Sequence, residues 1–144
     1  CNLSFAGLKT AVLKIAVNLK TKQEKFDLAA SFQKTIEEIL YEKSKIAFDE
    51  FRKINGNNNN LFIVAGGVAS NNKIREVLKN LSLKENFQPI FPPIKFCSDN
   101  AAMIAMVGLE KFKKKEFHKL DYPAKPRWPL DESAAYLKGA GVKL

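Results

Sequence analysis

Apolar residues in this chain recur at two different spacings, and the alternation between them outlines an α/β layer. Leu8, Val12, Ile15 and Leu19 recur at three- and four-residue steps, which places them on one face of a helix over residues 8–19. A longer helical pattern, with at most one break, covers residues 27–54. There Phe26, Ala29, Ala30, Ile36, Ile39, Leu40, Ala47, Phe51 and Ile54 fall near one stripe, with Glu and Lys elsewhere. Gly56 and the asparagine run 57–60 end it in a solvated turn. Residues 61–65, Leu-Phe-Ile-Val-Ala, are a continuous apolar run of strand length, which predicts a strand covered on both faces. Gly66 and Gly67 break the run. Ser70 or Asn71 then caps a helix whose apolar face is Ile74, Val77, Leu78 and Leu81.

A short strand follows at residues 88–91 and stops at Pro92-Pro93. Ser98 and Asp99 open a last helix, residues 100–112, in which Ala102, Ile104, Ala105, Val107 and Leu109 are expected to be largely buried. Strand and helix in alternation predict an α/β fold with a mostly parallel sheet. Beyond it, Pro123, Pro126 and Pro129 preclude a long helix and predict an irregular carboxy-terminal tail.

At 144 residues with 46% hydrophobic and 27% charged positions, the chain has the size and composition of one folded domain, residues 1–144, rather than of a disordered segment. The apolar stretch 96–109 is interrupted by Asp99 and Asn100, so a membrane span is not expected. Without a basic-then-apolar leader the reading is a cytoplasmic protein, in which Cys1 and Cys97 are reduced thiols. The chain opens at Cys1 within an ordered apolar segment, as a piece of something longer would. A net charge of +9 favours encounter with polyanions such as tRNA. Lysine and asparagine are abundant while arginine occurs only as Arg52, Arg75 and Arg127, so a compositional bias of the gene also accounts for the charge.

Two segments carry candidate chemistry. The first runs Val64-Ala65-Gly66-Gly67-Val68-Ala69-Ser70-Asn71. A strand ending in paired glycines before a helix start exposes backbone N–H groups and admits close approach of a ligand, which suits a nucleotide's phosphate or ribose. It has neither the Gly-Lys-Ser/Thr of a phosphate loop nor the dinucleotide fingerprint. Spacing alone leaves it open whether this is a nucleotide site or a tight turn without a ligand, and whether Asn71 is a polar contact or a cap. The second segment is Cys97-Ser98-Asp99-Asn100, where Asp99 is either a helix-start carboxylate favoured by the dipole or a metal ligand in need of partners. The single histidine, His118, lies far along the sequence, and no His/Cys/Asp cluster completes a metal site. Ser4 and Lys9 have the chemistry to touch phosphate, but spacing does not single them out. Trp128, among prolines and cations, is expected to pack on its own domain, and Lys111, Lys113, Lys114 and Lys115 to form a solvated helix end.

Taken together, residues 3–10 (Leu-Ser-Phe-Ala-Gly-Leu-Lys-Thr), 64–71, 97–105 and 126–130 (Pro-Arg-Trp-Pro-Leu) resemble, in identity, order and spacing, the second half of the TsaD family. These are bacterial tRNA threonylcarbamoyladenosine synthesis transferases, formerly labelled glycoproteases. The resemblance implies the second lobe of an actin/hexokinase-like fold, with a nucleotide cleft between two lobes. It implies transfer of threonylcarbamoyl from threonylcarbamoyl-AMP to the adenosine beside the anticodon of tRNA. It makes Gly66, Gly67 and Asn71 the nucleotide-binding residues, with threonylcarbamoyl-AMP or ATP/ADP as ligand. Asp99 becomes a ligand to one divalent metal, iron or alternatively zinc, completed by two histidines of an amino-terminal lobe. That lobe and TsaB-like and TsaE-like proteins are the implied partners. The chain departs from the family pattern in Ala6 before Gly7 and in Ala69-Ser70 before Asn71, and it lacks the first half with its histidine pair, so the chain alone is expected to be inactive. Other readings are a non-catalytic remnant or tRNA- or partner-binding module, and a kinase of the same superfamily. A metalloprotease is excluded by the lack of H-E-x-x-H.

Overall fold

The computed structural model describes residues 3, 5–56 and 60–124. They form two compact units, divided between Asn100 and Ala101. The first contains helices α1 (Ala6–Ala16), α2 (Lys22–Asn55) and α3 (Asn72–Lys84) with strands β1 (Leu61–Ile63) and β2 (Gln88–Ile90); the second contains α4 (Ala101–Lys113). The fold class is α/β, as the sequence implies. The strands pair in parallel, Leu61 opposite Gln88 and Ile63 opposite Ile90, with α3 as the connection between them.

Helix α2 is unbroken over 34 residues, roughly 50 Å of rise. Its start is a reciprocal capping box. The Glu24 N–H donates to Thr21 Oγ1 at 3.1 Å, and Glu24 Oε2 accepts from the backbone N–H groups of Thr21 and Lys20, both at 2.8 Å. Those donors hold the Glu24 carboxyl below its ordinary value, the Thr21 N–H contributing most and the Lys20 N–H next. At the other end Gly56, with φ +62°, closes the last turn by donating its N–H to the Arg52 carbonyl at 2.9 Å.

The core of the first unit is aromatic. Phe48, Leu81 and Phe87 are buried, and Tyr41, Phe51 and Phe62 pack against them. The Phe48 and Phe87 rings stack at 4.0 Å, and Phe62 meets Phe48 edge-on at 4.8 Å. Arg52 clips this cluster shut. Its guanidinium lies 5.3 Å from the centre of the Phe87 ring and donates to the Glu85 carbonyl at 2.6 Å and to Glu85 Oε2 at 2.9 Å. Helix α3 buries Ile74, Leu78 and Leu81, as its spacing predicts.

Two burial expectations are corrected. Strand β1 is not covered on both faces: Phe62 turns into the core while Leu61 and Ile63 are 50% and 64% exposed. A two-stranded sheet whose inward side chain meets the aromatic cluster has its opposite face free, and period-two geometry sends the alternate residues there. The apolar residues of α4 are exposed as well, Ile104 by 68%, because its own unit has no other helix or strand among the described residues to cover them. At the end of α4, Lys113 pairs with Glu110 at 2.9 Å and Lys111 with Glu116 at 3.7 Å, so part of the predicted lysine cluster is neutralised locally. No helix among the described residues is long and apolar enough to cross a membrane.

Candidate functional site

The turn after β1 is built around Gly66. Its φ of +92° with ψ 175° is a conformation open essentially to glycine alone. That bend launches a 3-10 turn, Gly67–Ser70, held by the Ala69 N–H on the Gly66 carbonyl at 3.0 Å and the Ser70 hydroxyl on the Gly67 carbonyl at 2.6 Å. A methyl group added at Gly67 would meet open space. Its backbone therefore faces the outside of the turn with no side chain of its own to obstruct approach.

Asn71 is the cap of α3. Its Oδ1 accepts from the N–H groups of Lys73 at 3.0 Å and Ile74 at 3.2 Å, which commits the amide oxygen to the helix. The amide nitrogen is left facing α2, where it donates to Gln33 Oε1 at 3.4 Å. Gln33 Nε2 in turn donates to Glu37 Oε1 at 3.0 Å, and Glu37 is only 7% exposed. Between the turn and α2 lies a groove of about 520 Å³. Gly67, Val68, Ser70 and Asn71 form one wall; Ala29, Phe32, Gln33 and Ile36 form the other, with Ile74 also lining it. Apolar walls with a few convergent amide groups suit a flat heteroaromatic ring with a polar edge.

Gly67 and Asn71 thus line one groove, and Gly66 sets the bend that brings them there. Asp99 is not among the residues lining that groove. It is exposed, in the segment between β2 and α4. Among the described residues no three His, Cys, Asp or Glu side chains converge on a possible metal position. Asp99 offers one carboxylate, and the donors in hand do not make a site. Asn71 performs the capping role that the sequence left open for it. Lys9 is exposed on α1, and Ser4 and residues 126–130 with Trp128 lie outside the described residues.

Sequence reasoning missed three residues here: Gln33, Glu37 and Arg75. For Arg75 a signal existed, since arginine is scarce in so lysine-rich a chain and its rigid fork is hard to replace where several acceptors must be met at once. Its guanidinium donates through Nε to the Ala69 carbonyl, and through Nη2 to the Pro92 carbonyl at 2.7 Å and to Cys97 Sγ at 3.0 Å. Gln33 and Glu37 gave none, because Asn71, which Gln33 meets and Glu37 backs through Gln33, lies far along the chain.

Residues 1–106 match the family model described as TsaD, tRNA N6-adenosine threonylcarbamoyltransferase. The chain belongs to this family. It is 74% identical over 144 residues to the tRNA N6-adenosine threonylcarbamoyltransferase of Pelagibacter ubique, covering 100% of this chain and 40% of that protein. The proteins of the same name from Dinoroseobacter shibae and Zymomonas mobilis are 42% and 44% identical, each over 99% of this chain and over 40% and 38% of their own lengths. The chain therefore spans about 40% of the length of the curated relatives it matches. As a TsaD-family chain, its α/β architecture with a parallel strand pair fits the actin/hexokinase-like class to which the family belongs.

Proposed function

We propose that this chain supplies one wall of the nucleotide cleft in a tRNA threonylcarbamoyltransferase and takes part in moving threonylcarbamoyl from its adenylate to an adenosine of tRNA. The observation that carries the reading is the groove beside Gly67 and Asn71, on a chain 74% identical to a relative named for that activity. The open backbone at Gly67 gives a phosphate or ribose a close approach. The apolar walls accept an adenine face, and the Asn71–Gln33 pair offers amide groups to its edge. Half a cleft neither positions two substrates nor excludes water, so the chain alone is inactive in this reading.

Asp99 is proposed as one arm of a divalent cation site, iron or zinc, whose other ligands come from outside the described residues. When bound, such a cation polarises carbonyl or phosphate oxygens. The +9 charge supports tRNA as the polyanionic partner. The proposed protein partners are a polypeptide equivalent to the amino-terminal part of the relatives and TsaB-like and TsaE-like proteins, and the proposed compartment is the cytoplasm.

The test is reconstitution. The chain is mixed with a separately produced amino-terminal part, the partner proteins, threonylcarbamoyl-adenylate and tRNA, and modified adenosine is quantified by nucleoside mass spectrometry. Product only when both parts are present is expected. No product, while an intact relative works under the same conditions, would overturn the catalytic reading in favour of a binding module or remnant.

A further inference from the structure

We propose that Arg75 is a positioning residue that locks the nucleotide-facing turn to the segment carrying Asp99, so that the two move as one body. The inference rests on the reading of that turn as a nucleotide contact and names the residue that couples it to the second candidate site.

The case begins with what holds residues 91–100 in place. The segment contains a single 3-10 turn, Ile94–Phe96, closed by the Phe96 N–H on the Pro93 carbonyl and the Cys97 N–H on the Ile94 carbonyl. Pro92 and Pro93 have no N–H to tie the backbone elsewhere; the Pro93 carbonyl is met within the segment by Phe96, while the Pro92 carbonyl takes a donor from outside it. Arg75 supplies that donor. Its Nη2 bonds the Pro92 carbonyl near the start of the segment and Cys97 Sγ near the end, two residues before Asp99, while the guanidinium lies 5.3 Å from the centre of the Phe91 ring.

The same side chain reaches the turn. Arg75 Nε donates to the carbonyl of Ala69, and the Arg75 backbone N–H donates to the carbonyl of Asn71 at 3.0 Å. Ala69 and Cys97 are each only 2% exposed, so both anchor points sit in packed surroundings. One half-buried guanidinium therefore bridges Gly67–Ser70 to residues 92–97. A lysine ammonium carries its three donors on one nitrogen, whereas Arg75 reaches the turn through Nε and the segment through Nη2, two nitrogens held apart by a rigid planar fork. Glycine-rich turns and proline-rich segments are the parts of a fold that open at low cost, and a clamp between two of them makes their openings cooperative.

The experiment uses the 144-residue chain and AMP as the probe. Backbone amide shifts in the wild type are expected to move on AMP addition both at residues 66–71 and, through the clamp, at residues 97–100. In Arg75→Lys the first set still moves and the second does not, with apparent AMP affinity changed by less than about threefold, because the fork and not the groove was removed. Cys97→Ala deletes one arm only and serves if the lysine variant does not fold; it is expected to reduce the remote shifts and leave those of the turn. Remote shifts that persist in both variants, or that are missing in the wild type while the turn responds, would overturn the proposal.

If AMP moves neither set, the nucleotide reading fails, and the clamp is judged by the rate at which Cys97 reacts with an aromatic disulfide reagent. Loss of charged hydrogen bonds should speed that reaction by about tenfold in Arg75→Lys, together with faster amide exchange at residues 69–71 and unchanged exchange within Leu78 to Leu81. An unchanged Cys97 rate would sink the clamp outright.

Discussion

Gly66 and Gly67 are neighbours with different demands, and the difference is testable. Gly66 has φ +92°, so a side chain there strains the backbone whatever space surrounds it. Gly66→Ala is expected to cost about 1–3 kcal/mol in a urea melt, the range for a residue forced into a sparsely populated conformation. Gly67 has open space at its Cβ position and no positive φ. Gly67→Ala should leave the melt unchanged and weaken AMP binding by about tenfold if a ligand approaches the backbone there, since the methyl group then occupies the ligand's place. Asn71 has two functions to separate. Asn71→Ala removes the cap, about 1 kcal/mol, as well as the amide donor to Gln33. Asn71→Ser keeps a neutral capping oxygen for the helix start and loses the amide donor. Stability retained with AMP affinity lost in the serine variant would assign Asn71 a binding role; affinity retained in both variants would make it a cap alone. Asp99→Ala, measured in the reconstituted enzyme, is expected to abolish metal retention and transfer; full activity with metal retained would remove Asp99 from the site.

At the scale of elements, α2 connects the parts of the first unit, and its start has a defined pH response. The carboxyl of Glu24 is held low by the Thr21 and Lys20 N–H groups, so folding favours its ionised form. That contribution is complete above the ordinary carboxyl value of 4.5 and is lost as pH falls below it through the depressed value. Amide exchange at the first turn of α2 should therefore accelerate below pH 4.5, and Thr21→Ala or Glu24→Ala should remove most of that pH dependence. Helices and strands were readable from the chain because their signals are local: three- and four-residue spacing for α1 to α3, a helix-start pair and apolar run for α4, paired glycines after β1, prolines after β2. Boundaries shifted by a few residues where caps outside the apolar stripe decided them, as Thr21 and Glu24 do for α2. Burial was less readable. Phe48 is the most buried aromatic of α2 yet stood outside the predicted stripe, because its partners Phe62 and Phe87 come from later elements.

For the whole molecule, charge and apolar exposure oppose one another. A net charge of +9 keeps copies apart, while Leu61 and Ile63 on β1 and Val68 on the turn present apolar surface. Salt screens the first and not the second, so sedimentation should show self-association of the isolated chain rising with ionic strength. Addition of an amino-terminal part that docks on this surface should suppress it; a monomer at every salt concentration would count against an unsatisfied docking face. The sequence by itself determined the class of fold, the order of its elements, the Gly66–Gly67 break and the capping potential of Asn71, because each depends on residues within a few positions of one another. Its four motifs, taken in order, also carried the family resemblance. Only the tertiary structure decided that α2 forms the far wall of the groove, that Gln33 and Glu37 stand behind Asn71, and that Arg75 joins the turn to the segment before Asp99. Those contacts span 38 residues between Asn71 and Gln33 and 22 between Arg75 and Cys97. Local periodicity does not encode them; the packing of α2 and α3 around a shared aromatic core brings them together.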